Sequence, residues 1–400
     1  MAKIIIIGGG FGGLSFLQKA RKSKNDFILI DKTNHHLFQP LLYQVATAVL
    51  SPADITVPLR NLFKNDKNVK TILSEVKEIN KEKKEITLDN AEVISYDKLI
   101  ISAGSSYSFF GKNEWSKFAK GLKVINDALD IREKILKAFE KAENEKDERI
   151  RKKYLNFVIV GGGPTGVELA GSIAEIAYKN MTKEFRNFSS TDANIYLLEA
   201  GDRILPSYSE SLAKKSYKFL NDLGVKVMTK ERVENIEEMK VTTNKQVIYA
   251  DNIIWAAGNE ASPLIKYLDT ETDNEGRAVV NLDCSIKEDN EVYVIGDAAN
   301  FKTESGESLP GIAPVAIQQG RYVAHNIKKN IEKEKRKPFR YSDKGTMATI
   351  GRFKAIGVVG NFELAGFTAW LFWSLIHLVY LIGYRSKILV AIEWIFAYFF

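Results

Sequence analysis

The residues best placed to do chemistry are glycines. Gly8, Gly10 and Gly13 form a Gly-x-Gly-x-x-Gly spacing after the apolar run 4–7, and Gly161, Gly163 and Gly166 repeat it after 157–160. In such a set the first glycine permits a sharp turn, the second lets the backbone approach a pyrophosphate, and the third lets helix pack on strand. A helix opening there offers free N–H groups and the positive end of its dipole to phosphates. Each copy is followed by another apolar run ending in an acid, Asp31 after 27–30 and Glu199 after 195–198. A carboxylate at that place accepts hydrogen bonds from a ribose diol and repels a 2′-phosphate. One glycine set alone is a weak signal. Two, each with strand, glycines, helix and acid in order, predict two bound dinucleotides. Glu199 further predicts a preference for the dinucleotide without a 2′-phosphate, with Arg203 nearby as the group able to offset that preference.

The elements that position these residues are duplicated as well. The stretch 97–104 (DKLIISAG) resembles 251–258 (DNIIWAAG), at nearly the same offset as the glycine sets. Both read as a buried strand closing on small residues, Ala103-Gly104 and Ala257-Gly258, where a bulky side chain would block a neighbouring cofactor. The run 292–295 ends in Gly296-Asp297 and reads as a later strand opening a helix, with Asp297 either its N-cap or a cofactor ligand. The charged segment 127–154 reads as a solvent-facing helix with Ile131, Ile135, Leu136 and Phe139 on one face. Aliphatic runs of strand length between amphipathic helices predict an α/β fold with parallel sheets. The 400 residues allow two or three domains.

Composition removes several chemistries. With Cys284 as the sole cysteine, no redox disulfide and no CxxC metal or iron–sulfur site can form, and His35, His36, His325 and His377 show no metal-ligand spacing. No metal is therefore expected, and electron transfer falls to organic cofactors. The net charge of +7 is concentrated late: 321–400 holds 13 basic against 5 acidic residues. No base-stacking pattern accompanies them, which argues against nucleic acid and for an anionic lipid bilayer surface. The run 367–384 carries no formal charge, and 388–400 is apolar except for Glu393. Three arrangements compete: a spanning helix, a soluble core or dimer interface, and two short helices lying in the lipid interface. The run is short for spanning, which takes about 20 apolar residues. Trp370, Trp373, Tyr380, Tyr384, Trp394 and Tyr398 favour a lipid–water boundary, so interfacial helices hinged at Gly383 account for most of the pattern. The run 4–7 is too short for a signal peptide, so the expected location is the cytoplasmic face of a bacterial inner membrane, as a peripheral, monotopic protein.

With a fingerprint at the N-terminus and the Gly296-Asp297 strand returning late, the chain resembles the two-dinucleotide-domain flavoproteins. Within them it resembles type II NADH dehydrogenase, the single-chain NADH:quinone oxidoreductase. The resemblance rests on NHHLFQPLLYQVA at 34–46, GGGPTGVELA at 161–170, APVAIQQG at 313–320 and DKGTMATIGR at 343–352, and covers essentially the whole chain. Ala313-Pro314 stands where some members carry Ala-Gln, so the first glutamine of that motif is not carried over.

The resemblance implies two Rossmann-like dinucleotide-binding domains, the NADH domain (116–258) inserted in an FAD domain (1–115 and 259–330). A C-terminal membrane-anchoring domain (331–400) follows, its amphipathic helices at about 365–400. It implies non-covalent FAD on Gly8, Gly10, Gly13, Asp31, Ala103, Gly104, Gly296 and Asp297, and NADH as substrate on Gly161, Gly163, Gly166, Glu199, Ala257 and Gly258. Ile317, Gln318 and Gln319 fall on its quinone-site helix. Glu168 falls near the flavin as a proton relay, Gln318 serves as a donor to a quinone carbonyl, and Lys344 as a cation for the reduced flavin. The expected partners are NADH, a membrane quinone (ubiquinone or menaquinone) and lipid, with a homodimer among the allowed assemblies. No bundle of spanning helices is available to pump protons. A flavin reductase of a ferredoxin-like carrier and a non-catalytic NADH-binding flavoprotein are the competing functions.

Overall fold

Four consecutive isoleucines, Ile4, Ile5, Ile6 and Ile7, suit a strand covered on both faces, and all four are buried. The computed structural model describes residues 1–399, with side chains as far as Tyr398. It divides into two compact units: Met1–Leu37, Thr56–Ser106 and Asn259–Asp343 form unit 1, and Phe38–Ile55, Tyr107–Gly258 and 344 onward form unit 2.

Unit 1 is built on a parallel sheet in the order Val69–Leu73, Asp26–Asp31, Lys3–Ile7, Lys98–Ile101, Val292–Val294. In chain order this is 3-2-1-4-5, which leaves a crevice where the winding reverses between the first and fourth strands. Helix Phe11–Ala20 leaves the first strand, and helix Ala313–Lys328 packs on it so closely that a Cβ on Gly320 would strike the Gly12 carbonyl. The strand ending at Gly296-Asp297 does not open a helix. A single 3₁₀ turn, Gly296–Ala298, leads straight into strand Ala299–Phe301.

Unit 2 repeats the plan. Its parallel sheet runs Val225–Met228, Asn194–Leu198, Asn156–Val160, Asn252–Trp255, Ala119–Gly121, again 3-2-1-4-5 counted from the fingerprint strand with the preceding strand Ala119–Gly121 in the last place. The charged segment forms two helices, Ile125–Asn144 and Glu148–Leu155, because Glu145 is extended and Asp147 caps the second one. Ile131, Ile135 and Phe139 are buried at four-residue intervals. Leu136, one position off that row, is 37% exposed rather than part of the buried face.

The last part of unit 2 is an antiparallel sheet of Thr346–Thr349, Ala355–Val359 and Phe362–Gly366, followed by helices Phe367–Tyr380 and Tyr384–Phe399. The hinge falls at Gly383, with φ +87°. Phe400, the end of the expected anchor, lies outside the described residues. The tryptophans depart from expectation: Trp370, Trp373 and Trp394 are buried, not at a boundary. Trp373 stacks on His377 with centroids 4.2 Å apart and packs on Trp394 at 5.2 Å. Their large rings stabilise most when fully packed, and the Trp394 N–H finds an internal partner by donating to Gln44 Oε1 at 2.7 Å. The outward face carries Leu371, Phe372, Leu375, Val379, Ile388 and Ile395, and of the expected boundary aromatics Tyr380 and Tyr384 are also exposed. Among the described residues no helix is long and apolar enough to cross a membrane.

Candidate functional site

In unit 1 each fingerprint glycine does a separate job. Gly8 turns the chain at φ +101°, a conformation that favours glycine. A Cβ on Gly13 would collide with the Gly8 carbonyl, whereas a Cβ on Gly10 would meet nothing within 4 Å. The tight contact locks helix to strand, and the open one leaves room for a phosphate. Gly10 is also the helix N-cap and offers no side chain to the first N–H groups, and no acid stands in the first turn to repel an anion. Asp31 Oδ2 accepts the Gly9 N–H at 2.5 Å, which holds the carboxylate at the loop. His36, buried beneath the loop, bonds the Gly9 carbonyl through Nδ1 at 3.0 Å. Gly104 and Gly296 both have positive φ, +68° and +72°. Asp297 accepts the Ser105 hydroxyl at 3.0 Å, so the end of the fourth strand and the Gly-Asp turn converge. These residues fit a dinucleotide laid across the crevice.

Unit 2 matches this feature by feature. Gly161 turns at φ +111°, a Cβ on Gly166 would hit the Gly161 carbonyl, and a Cβ on Gly163 would meet nothing within 4 Å. Gly163 caps helix Pro164–Glu175 with no acid in its first turn. Glu199 accepts the N–H groups of Gly162 at 2.7 Å and Gly201 at 2.6 Å. A carboxylate retains lone pairs beyond these two for a ribose hydroxyl. Arg203 directs its guanidinium to the Pro206 carbonyl at 3.1 Å. Ala257 and Gly258 close the fourth strand, with Gly258 at φ +72°. Ala256 and Ala257 lie so near the fingerprint turn that a Cβ on Gly161 would come within 2.8–2.9 Å of their backbone.

Glu168 lies on the same helix, in unit 2. Its carboxyl group has lost most of its water, and desolvation raises its pKa to about 8 against a weak opposing bond from the Thr349 N–H. That N–H reaches Glu168 Oε1 at 3.5 Å. Thr349 Oγ1 in turn pairs with the Tyr43 hydroxyl at 2.8 Å, which accepts the Gln44 amide N–H at 2.9 Å. Burial pushes the Tyr43 phenol well up, and the nearby Glu168 adds to the rise. Tyr43, Gln44 and Thr349 border a cavity of about 440 Å³ that also meets Glu175, Arg352 and Phe396.

The remaining expected site residues are placed as follows. Gln318 is half-buried in unit 1, and its amide is engaged at both ends by Ser342, donating to the carbonyl and accepting the N–H, each at 3.0 Å. Gln319 is buried, with Oε1 accepting the Gly296 N–H at 2.7 Å. Ile317 is half-buried on the same helix, and Lys344 is exposed just before strand Thr346–Thr349 in unit 2. Neither Glu168 nor any of 317–319 borders the cavity; Glu168 meets one of its lining residues, Thr349. The roles of Tyr43, Gln44, Thr349 and His36 do not follow from spacing. The only signal was that they fall within the stretches 34–46 and 343–352.

Residues 2–320 match the family described as pyridine nucleotide-disulphide oxidoreductase. The lone, buried Cys284 leaves this chain without the pair of thiols a disulphide would need. The type II NADH:quinone oxidoreductase NdhA of Mycobacterium tuberculosis is 40% identical, over 98% of this chain and 86% of that protein. Ndh of the same organism is 39% identical, over 98% and 87%. The fold matches that of NDH2 from Plasmodium falciparum, solved in complex with NADH, with a TM-score of 0.92 and 22% identity over 100% of this chain and 98% of that one. By sequence and fold, the chain belongs to the pyridine nucleotide-disulphide oxidoreductases and, within them, to the type II NADH:quinone oxidoreductases.

Proposed function

We infer that unit 1 holds FAD non-covalently and that the second fingerprint, in unit 2, takes NADH as substrate. The observation that carries this reading is the pair of matching cradles, each left-handed at the first glycine and open at the second, Gly10 and Gly163. Gly8, Gly10 and Gly13 would receive the FAD pyrophosphate, Asp31 its adenosine ribose, and Ala103, Gly104, Gly296 and Asp297 its flavin half. Gly161, Gly163 and Gly166 would receive the NADH pyrophosphate, Glu199 its adenosine ribose, and Ala257 and Gly258 its nicotinamide half. Bound there, FAD would supply the two-electron chemistry that links NADH to a quinone.

The chain's own contribution to quinone reduction centres on Glu168. A carboxyl group with a pKa near 8 still holds its proton at neutral pH and can deliver it to a reduced quinone oxygen. The Tyr43 hydroxyl and the Gln44 amide supply polar groups of the kind a quinone carbonyl needs, in a cavity sized for a small ring. Gln318, in unit 1, would serve as a donor to a quinone carbonyl by exchanging its Ser342 contacts for the quinone. Lys344, exposed in unit 2, is the residue we assign as a cation for the flavin.

The outward apolar face of the last two helices supports a monotopic seat on the lipid surface, with Arg385 and Lys387 beside it for anionic headgroups. We place the protein on the cytoplasmic face of a bacterial inner membrane, where NADH and bilayer quinone are both within reach, and read the reaction as non-pumping. The deciding assay is NADH oxidation by purified protein with a short-chain quinone or with a ferredoxin-like carrier, with the released flavin identified after acid treatment. Rapid turnover with quinone alone, and release of FAD, are expected. Preference for the protein carrier, or release of FMN, would overturn the reading.

A further inference from the structure

Phe110 is held where a phenylalanine is costly. Its φ is +52°, a left-handed conformation that bulky residues rarely adopt, and the side chain is 67% exposed. The ring meets Trp255 edge-on, with centroids 6.2 Å apart, but it stays largely exposed, so that contact does not offset the backbone cost. Such outliers persist where surrounding structure imposes them for a use. The surroundings here are definite and lie in unit 2. The Trp255 indole N–H donates to the Ser108 carbonyl at 2.9 Å, and the Ser108 N–H donates to the Gly258 carbonyl at 3.3 Å. The Phe110 N–H reaches back to the Ser108 hydroxyl at 3.2 Å. The loop is thus tied to the end of strand Asn252–Trp255, and the Phe110 ring lies over Gly258. A Cβ there would come within 2.6 Å of Phe110 Cζ.

The direction of the dinucleotide makes this position informative. The fingerprint fixes the pyrophosphate at Gly161–Gly163, and Glu199, at the end of the neighbouring strand Asn194–Leu198, marks the adenosine side. The other half of the molecule therefore runs the opposite way across the strand ends, over Ala257 and Gly258, as the winding reversal between strands Asn156–Val160 and Asn252–Trp255 requires. We propose that Phe110 is the aromatic surface against which the nicotinamide–ribose end of NADH rests, positioning it for hydride transfer. The proposal rests on the reading that the second fingerprint binds NADH. The absence of a side chain at Gly258 is what lets the ring occupy this place.

The test uses the full-length, flavin-loaded protein. Phe110→Gly and Phe110→Asn remove the ring and suit a left-handed backbone, so both should fold at least as well as the parent. Phe110→Tyr keeps the ring. Calorimetric titration with NAD⁺, and stopped-flow reduction of the flavin by NADH, should show a three- to tenfold loss of affinity or rate for Gly and Asn, the size of one aromatic contact. Tyr should restore it. Reoxidation of dithionite-reduced protein by a short-chain quinone should be unchanged in all three. Gly163→Val, which fills the phosphate space, is the reference and should abolish NADH-dependent reduction. Parental behaviour of the Gly and Asn variants, with Gly163→Val inactive, overturns the role of Phe110 alone. Retained NADH reduction in Gly163→Val overturns the underlying site assignment and this proposal with it.

Discussion

Replacing Glu168 by glutamine separates proton delivery from every other role of that side chain. Burial raises its pKa to about 8 from an ordinary 4.5. At that value about 90 per cent of the side chain is protonated at pH 7 and about 10 per cent at pH 9, whereas an ordinary glutamate is about 0.3 per cent protonated at pH 7. Quinone reduction by the parent protein should therefore fall about tenfold between pH 7 and pH 9. Glutamine keeps the shape and can still donate a hydrogen bond, but it has no proton to give. A positioned general acid contributes roughly 10²–10⁴-fold, so Glu168→Gln should slow quinone reduction at pH 7 by about a hundredfold or more and flatten its alkaline limb. Stopped flow measures the two halves apart: anaerobic flavin reduction by NADH, then reoxidation by a short-chain quinone. Equal slowing of both halves, or an alkaline limb unchanged in the glutamine variant, would refute the reasoning. Stability supplies a second check with a definite sign. A raised carboxyl pKa means that the folded chain retains a proton the unfolded chain has lost between about pH 4.5 and pH 8. The contribution of Glu168 to stability is thus full below about pH 4.5 and lost as pH rises through 8. Relative to the parent, the glutamine variant should gain in thermal midpoint from pH 5 to pH 9.

Glu199→Ala should narrow the NADH/NADPH ratio of kcat/KM by about tenfold, the worth of a charged hydrogen bond and a removed repulsion; a parent protein that already favours NADPH would contradict it. Gly10→Val should expel the flavin by filling the open phosphate space, visible as loss of the yellow colour from a folded protein; full flavin occupancy would place the cofactor elsewhere. Deleting the last two helices would strip Trp373 and Trp394 from the interior of unit 2, so membrane attachment is better tested by Leu375→Asp, Val379→Asp and Ile388→Asp, all at exposed positions. At 1.5–3 kcal/mol per large apolar side chain, the triple variant should lose roughly 5 kcal/mol of lipid attachment and float free of anionic vesicles. The parent should stay bound in high salt, since Arg385 and Lys387 only supplement an apolar contact; release of the parent by salt alone would count against that reading.

What the sequence by itself determined was local or repeated. The glycine sets, the acids that follow them and the paired Ala-Gly turns are each written within a few dozen residues, because strand, turn and helix N-terminus are short-range objects. Their duplication predicted two similar nucleotide-binding halves with parallel sheets, and Gly383 predicted the break between the last helices. Other features depended on which distant segments meet. Tyr43 joins Thr349 across 306 positions, and Gln44 joins Trp394 across 350. No spacing rule connects such pairs, and the desolvation that sets the pKa of Glu168 comes from packing of this kind. The tryptophans show the same divide. Composition alone read them as boundary residues, but an indole gains more from close packing with an internal partner for its N–H than from a wet interface. Only the tertiary fold, by bringing Trp373, His377 and Trp394 together in the interior, decided that Leu, Ile, Val and Phe, with Tyr380 and Tyr384, would face outward.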